Sequence, residues 1–320
     1  MLPLAFIRYP NLNPEIVHIS GPFGLRWYGL AYLLGFIFAY LLLIRMAKRG
    51  WMRIKPQLVG DLLTWLAFGV FIGGRAGWWL FYHRAPLPPQ PPEPWYEPFA
   101  IWDGGMSFHG GLVGVLVAMY LWARKHRVSM ANLADCAALV TPIGLFFGRL
   151  ANFINHELYG RMTHVPWGVI FPVEGSKYPN FVYETFARHP SQLYEALLEG
   201  PLLLGILWLI FLKRRPRDGA IALAFVIFYS IFRFCVEFTR EPDKQLGFII
   251  DRRLAGILVQ ITMGQILSIA IALGGIAVWV IFVRRHRPEI PAEKAPAPSA
   301  SDAAARKRPD RHRAGPEARG

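Results

Sequence analysis

The sequence predicts an all-α polytopic membrane protein: seven transmembrane helices, the N-terminus outside, the C-terminus cytoplasmic, and a small outer cap. Three observations carry this reading. Apolar residues make up 54% of the 320 and charged ones only 18%, below the quarter or so usual in soluble domains. Apolar runs long enough to cross the hydrocarbon, about 20 residues each, alternate with short, strongly basic connections. The ionisable residues inside those runs then collect at one level of the membrane once the runs are oriented.

Residues 1–24 are interrupted by Pro3, Arg8, Pro10, Asn11, Asn13, Pro14 and Glu15. A cleaved signal peptide has a basic start followed by an unbroken apolar stretch, so these residues read as an outer extension lying on the membrane. A transmembrane domain over 25–285 follows, with spans at Leu25–Met46, Leu58–Tyr82, Ser107–Ala123, Leu133–Leu150, Gln192–Leu212, Gly219–Phe238 and Ile257–Val283. A re-entrant piece at Leu246–Ile250 is too short to span. Residues 83–106 hold seven prolines and predict a stiff, extended loop. Residues 151–191 form the largest outer segment, with short strands expected at Trp167–Val173 and Phe181–Phe186. Residues 286–320, rich in Ala, Pro and Arg with almost no large apolar side chains, predict a disordered basic cytoplasmic tail.

The net charge of +14 would suit a nucleic-acid binder, but its placement points elsewhere. Arg45, Lys48, Arg49, Arg53 and Lys55 flank the first connection; Arg124, Lys125 and Arg127 the third; Lys213, Arg214, Arg215 and Arg217 the fifth; Arg284, Arg285 and Arg287 the end of the last span. Short basic loops stay in the cytoplasm, and with seven spans these all fall on that side. Cys136 and Cys235 lie inside spans and read as small buried apolar groups, with no disulfide framework. Nucleophile-elbow, zinc-helix and phosphate-loop motifs are missing from the sequence, and there is no internal repeat of the transporter kind.

A charge in the bilayer costs about 2.5–3.5 kcal/mol even on the mildest scales, so such residues are functional candidates. The orientation puts Arg75, Arg149 and Arg233 in the outer halves of the second, fourth and sixth spans. It puts Tyr28, His109 and Glu195 near the outer starts of the first, third and fifth. Tyr229, Arg233 and Glu237 recur every four residues and share one helical face. Arg149 stands in a segment with Asn152, Asn155, Glu157, Gly160 and Arg161. Arginine grips phosphate bidentately and stays charged, and His109 is of the type that moves protons near neutral pH. Each residue also has a plainer reading: an internal Arg233–Glu237 packing pair, arginines snorkelling to the interface, or a packing histidine. Cys235 is about 200° around its helix from Arg233, and Cys136 about 20 Å below Arg149, so neither serves as a nucleophile there. Three function classes fit: an enzyme acting on an anionic lipid, a transporter of an anionic solute, and a non-catalytic assembly protein. The inner halves of the spans are nearly uncharged, with Asp61 and Asp135 at their edges, which counts against a through-path.

The stretch from Gly148 to Arg161 (Gly-Arg-Leu-Ala-Asn-Phe-Ile-Asn-His-Glu-Leu-Tyr-Gly-Arg) resembles the signature of the prolipoprotein diacylglyceryl transferase family. So do Arg26-Trp27-Tyr28-Gly29, His109-Gly110-Gly111, His189 through Glu195, and Tyr229 through Asp243, in the family's order over residues 1–285. Ala151 and His156 stand where the family more often has glycine. The resemblance implies a bacterial inner-membrane transferase with a periplasmic cap. It would move the diacylglyceryl group of phosphatidylglycerol to the thiol of a cysteine in a preprolipoprotein signal peptide, releasing glycerol phosphate, with no cofactor or metal and no nucleic-acid partner. Its implied catalytic residues are His109, Arg149 and Arg233. Arg149, Tyr28, Asn152, Asn155, Glu157, Gly160, Tyr229 and Glu237 would hold substrate. Segments 151–191 and 239–256 are expected to move as lids.

Overall fold

The computed structural model describes residues 6–20, 23–81, 96–99, 105–173, 180–214, 217–242, 247–254 and 257–283. Most of the proline-rich loop and the whole 286–320 tail lie outside these residues. The fold is mostly helical, with six helices long and apolar enough to cross a membrane. They are α1 (Trp27–Lys48), α2 (Val59–Phe81), α4 (Met130–Ile154), the broken run α5 (Ser191–Leu197) and α6 (Leu203–Arg214), α7 (Ala220–Glu237) and α8 (Met263–Val278). The sequence's third span is α3 (Phe108–His126), whose glycines and basic last turn leave it less apolar than the other six.

Helix ends follow local chemistry. Ser107 caps α3 by accepting from Gly110 N at 3.2 Å, and Arg127 closes it with φ 53°. Ser129 caps α4 by accepting from Asn132 N at 3.2 Å. The start of α7 is capped from another helix, because Asp135 on α4 accepts from Gly219 N and Ala222 N at 2.7 and 2.8 Å.

The last span starts later than expected. Residues 257–262 form β6 (Ile257–Thr262), antiparallel to β5 (Phe248–Leu254), as suits an isoleucine- and valine-rich stretch. At Thr262 a reciprocal capping box with Gln265 starts α8, so chain before that point is strand. The same hairpin replaces the re-entrant piece considered at 246–250. Nor is the fold wholly helical. Beyond the β5–β6 hairpin, β2 (Glu15–Ser20) pairs with β3 (Phe23–Arg26), and β1 (Ile7–Arg8) pairs in parallel with β4 (Val169–Ile170). Of the two expected cap strands, 169–170 is one, and the Phe181–Phe186 segment contributes a bridge between Tyr183 and Pro172.

The fifth apolar run is broken by a wide π-helical turn at Leu198–Leu202, where Gly200 takes non-helical angles and Pro201 follows. Proline lacks the N–H for a regular helical bond and its ring crowds the preceding turn. A Cβ on Gly200 would lie 2.8 Å from Phe146 Cβ, so the break brings this run close against α4.

α4 is the central helix and packs against α1, α5, α6 and α7, while α2 pairs with α3 and α7 with α8. Met46, Trp122, Leu133, Leu139, Leu203, Leu207 and Ile221 fill the core of one half of the bundle. A second apolar cluster sits past the other end of α4, where Tyr9 and Phe171 pack with Phe153, Tyr159, Phe181 and Tyr183. Tyr9 Oη donates to Ile154 O at 2.7 Å, which ties the N-terminal strand to the end of α4. Cys136 is buried, but Cys235 is exposed, since it lies on the face of α7 turned away from Arg233.

Candidate functional site

Three helices and the segments just beyond them converge on one carboxylate. Glu195, in the second turn of α5, is 1% exposed. Arg149 Nε from α4 lies 2.7 Å from its Oε2, Arg240 Nη1 lies 2.7 Å from its Oε1, and Arg233 Nη1 from α7 lies 3.9 Å away. Glu199, one turn further and fully buried, has Arg149 Nε at 3.5 Å. Glu237 holds the other side: its Oε2 is 2.5 Å from Arg233 Nη1 and 3.5 Å from Arg240 Nε, and its Oε1 accepts from Thr262 Oγ1 at 2.9 Å. In apolar surroundings unpaired charges would be prohibitively costly. Here acidic and basic groups alternate, so each is stabilised by its neighbours.

The carboxylates are sealed, but the arginines are not. Glu195 and Glu199 side chains are 1% and 0% exposed, whereas Arg149 and Arg233 keep 20% and 21%. The guanidinium groups are oriented by buried anions, while the side chains that carry them keep about a fifth of their surface open. Donors fixed before the substrate arrives are the arrangement that stabilises developing negative charge best.

Around this centre, Asn152 Nδ2 donates to Glu157 Oε1 at 2.7 Å, and Gln192 Nε2 donates to Glu157 O at 2.7 Å. Tyr229 packs its ring on Phe225, 5.7 Å between centroids, and its hydroxyl lies in the electrostatic range of Glu199, Arg149, Arg233 and Glu195. Tyr28 packs on Tyr32, 5.1 Å between centroids, and Tyr32 in turn lies in range of Glu157 and Arg149. Asn155 is the half-buried cap residue that ends α4.

Gly160 has a steric role. Its N–H donates to His189 O at 2.9 Å, Arg161 N donates to Thr239 O at 2.8 Å, and the strand-like bridge runs between Gly160 and Arg240. A Cβ at this position would lie 2.2 Å from Thr239 O. Arg161 then locks the crossing by donating to Arg240 O at 2.6 Å and Glu237 O at 3.3 Å. Arg188 adds ties to Glu184 and Glu241, both at 2.6 Å.

The structure thus brings together Arg149, Arg233, Glu237, Asn152, Glu157 and Tyr229. It does not join His109 to them by any hydrogen bond or ion pair among the described residues. His109 is exposed at the start of α3 and lines a groove between α2 and α3. Arg75 stands apart as well: it bonds Glu97 Oε1 at 2.8 Å, Pro98 O at 3.0 Å and Gly105 O at 3.2 Å. With its guanidinium also over the Trp78 ring at 4.5 Å, it anchors the connection between α2 and α3.

Sequence reasoning ranked Glu195 only as an ionisable span residue and left Glu199 and Arg240 outside the site. Glu195 and Glu199 are four residues apart in an apolar run, the same one-face spacing that drew attention to Arg233 and Glu237. That signal was available.

A family profile described as prolipoprotein diacylglyceryl transferase matches residues 14–281. The chain belongs to this family. Among its relatives, the phosphatidylglycerol–prolipoprotein diacylglyceryl transferase of Chromohalobacter salexigens is 46% identical over 274 residues, 86% of this chain and 94% of the relative. The protein of that name from Nitratidesulfovibrio vulgaris is 45% identical over 291 residues, 90% of this chain and 100% of the relative. That from Sinorhizobium medicae is 43% identical over 286 residues, 87% and 94%. Membership of the prolipoprotein diacylglyceryl transferase family, together with six apolar helices, makes the chain a multi-pass membrane protein. The converging arginines lie within the matched region.

Proposed function

We propose that this chain carries out the reaction its relatives are named for, in the bacterial inner membrane. The diacylglyceryl group of phosphatidylglycerol passes to the cysteine thiol of a prolipoprotein signal peptide. The observation that carries the reading is the ring of Arg149, Arg233 and Arg240 around the buried carboxylate of Glu195. It is a preformed anion seat at one end of an apolar bundle.

The chemistry balances on these groups. The thiol proton leaves to a base, and the sulfur attacks the glyceryl carbon that bears the phosphate ester. The carbon–oxygen bond breaks and its electron pair goes to the phosphate oxygen, so that glycerol phosphate departs with its charge on Arg149 and Arg233. His109 is the proposed base, because only a thiolate is a competent nucleophile and histidine is the side chain that most often takes a proton from a reacting group. His109 lies some 17 residues up α3 and Arg149 some 19 up α4 from the short connection that joins these antiparallel helices. This places them about 26 and 29 Å from it at helical rise, a common level, and substrate would bridge the space between them. Glu237 orients Arg233. Tyr28, Asn152, Asn155, Glu157, Gly160 and Tyr229 shape the lipid site.

The topology belongs to the same proposal. α3 spans with the other six, giving seven spans, with the N-terminus and the cap over 151–191 in the periplasm and the C-terminus in the cytoplasm. Residues 1–24 form the outer extension, 25–285 the catalytic domain and 286–320 the tail. Segments 151–191 and 239–256, of which 174–179, 243–246 and 255–256 lie outside the described residues, include moving elements that admit both substrates.

The test is turnover of a lipobox peptide by purified protein in phosphatidylglycerol vesicles, read as the mass of the thioether product. Loss of product with Arg149→Ala and Arg233→Ala is expected. Wild-type rates from both variants would sink the assignment.

A further inference from the structure

A wide groove lies away from the arginine cluster. It runs along the outside of α2 and α3, has a volume of about 1070 Å³, and has Asp61 at one end and His109 at the other. Its floor is glycine. A Cβ on Gly69 would lie 2.6 Å from Gly114 O, and one on Gly73 2.4 Å from Gly110 O, so the two helices touch backbone to backbone. Phe68, Ile72 and Leu80 on α2, and Val113, Val117 and Leu121 on α3, recur at helical spacing along its two sides. They are exposed by 49–67%.

We infer that this groove seats the apolar segment of the signal peptide, with its basic end at Asp61 and its cysteine at His109. The inference rests on the proposed function and extends it to the second substrate.

Three features select this occupant. The first is length. From Asp61 to Phe81 the groove follows 20 residues of helix, about 30 Å, which is the full hydrocarbon thickness. A lipid's acyl chains enter from one leaflet and fill half of that, whereas a signal peptide's apolar segment of about 7–15 residues, with its basic flank and the residues leading to its cysteine, runs most of the groove's length. The second is surface shape. With α2 and α3 drawn together on glycine, their outer side chains leave an apolar furrow between them, and in lipid, where the hydrophobic effect supplies nothing, a helix docks by packing into such a shape. The third is polarity. Asp61 and His109 are the ionisable residues that line the groove. A signal peptide carries positive charge before its apolar segment, and its cysteine follows that segment. Asp61 accepts from Trp122 Nε1 at 2.6 Å and has His126 Nε2 at 3.6 Å, and its side chain stays 44% exposed, so a peptide cation would meet it beside His126. Seated this way, the peptide delivers its thiol to the proposed base, which explains why His109 lies outside the arginine cluster: each substrate has its own seat.

The experiment places the photoreactive residue p-benzoylphenylalanine at Ile72, at Val113 and, as a control, at Leu273 on the exposed face of α8. The full chain is set in phosphatidylglycerol nanodiscs with a synthetic signal peptide. Peptide adducts at 72 and 113 but not at 273 are expected. Lipid adducts alone, or adducts with a second copy of the chain that peptide does not displace, would overturn the inference. Kinetics give an independent reading: filling the groove with Val113→Trp should raise KM for the peptide about tenfold while kcat and the dependence on phosphatidylglycerol stay unchanged. A variant that melts at the wild-type temperature with unaltered peptide KM also overturns it. Cross-linking needs no turnover. A wild-type protein that binds peptide in the groove but forms no thioether would therefore overturn the enzymatic reading and leave the groove standing.

Discussion

Glu195 Oε2 lies 2.7 Å from Arg149 Nε, and that carboxylate is almost fully buried while the Arg149 side chain keeps 20% of its surface exposed. The pair is asymmetric: the acid is structure, and the base is structure on one face and available on the other. Arg233 repeats this with Glu237, one turn along α7. Both arginines are held by buried anions.

Replacing Glu195 by glutamine keeps the shape and removes the charge. Arg149, Arg240 and Arg233 then face one another with one fewer counter-charge. Losing one partner of a buried ion pair costs about 3–5 kcal/mol, and the lower end is expected here because the Arg149, Arg233 and Arg240 side chains keep 20%, 21% and 15% of their surface exposed. A thermal melt in detergent reads this, and an unchanged midpoint would show that Glu195 is not the counter-charge.

Arg149→Lys and Arg233→Lys retain charge and lose the planar fork. If these groups stabilise the departing phosphate, single-turnover rates should fall by about 10²–10³, the usual effect of one lost transition-state donor, with the melt little changed. Rates within a factor of two or so of wild type would remove them from the chemistry.

At Gly160 the fault would be steric. Gly160→Ala forces a methyl into Thr239 O, where no flexible side chain can yield. The crossing of the 158–162, 188–189 and 239–240 segments should open, seen as a lowered melt and faster proteolysis beyond α4. Full stability in this variant would contradict the packing described.

Arg75→Gln should act differently. It removes the anchor of the α2–α3 connection at Glu97, Pro98 and Gly105. Stability falls, yet the peptide and lipid dependences of the remaining folded protein should match wild type. A selective loss of turnover in fully folded protein would move Arg75 into the site.

The cap should weaken in acid. Burial and the nearby Arg161 push the His189 imidazole below its ordinary value of 6.5, and burial does the same to His156. The unfolded chain therefore takes up protons more readily, so stability is full above about pH 6.5 and is lost as pH falls through the folded values. Trp167, whose indole donates to Tyr194 Oη at 2.7 Å beside His189, gives the fluorescence reading. His189→Asn should flatten the response, and an unchanged profile would discard His189 as its source.

The lengthwise order of the protein is legible in its residues. The apolar runs, their basic flanks, the α7 stripe of Tyr229, Arg233 and Glu237, and the family motif around Arg149 are all local. Hydropathy adds up along the chain, and a four-residue spacing is the same on any helix. Which charged groups from different helices meet was decided by the tertiary structure. The π turn at Leu198–Leu202 and the packing of α5 on α4 put Glu195 beneath Arg149, and the chain beyond α7 folds Arg240 back to join them. Tertiary structure also set His109 on a glycine-floored groove apart from the arginines, because the rotation of one helix against its neighbour depends on close contacts such as Gly73 on Gly110, between residues far apart in the chain.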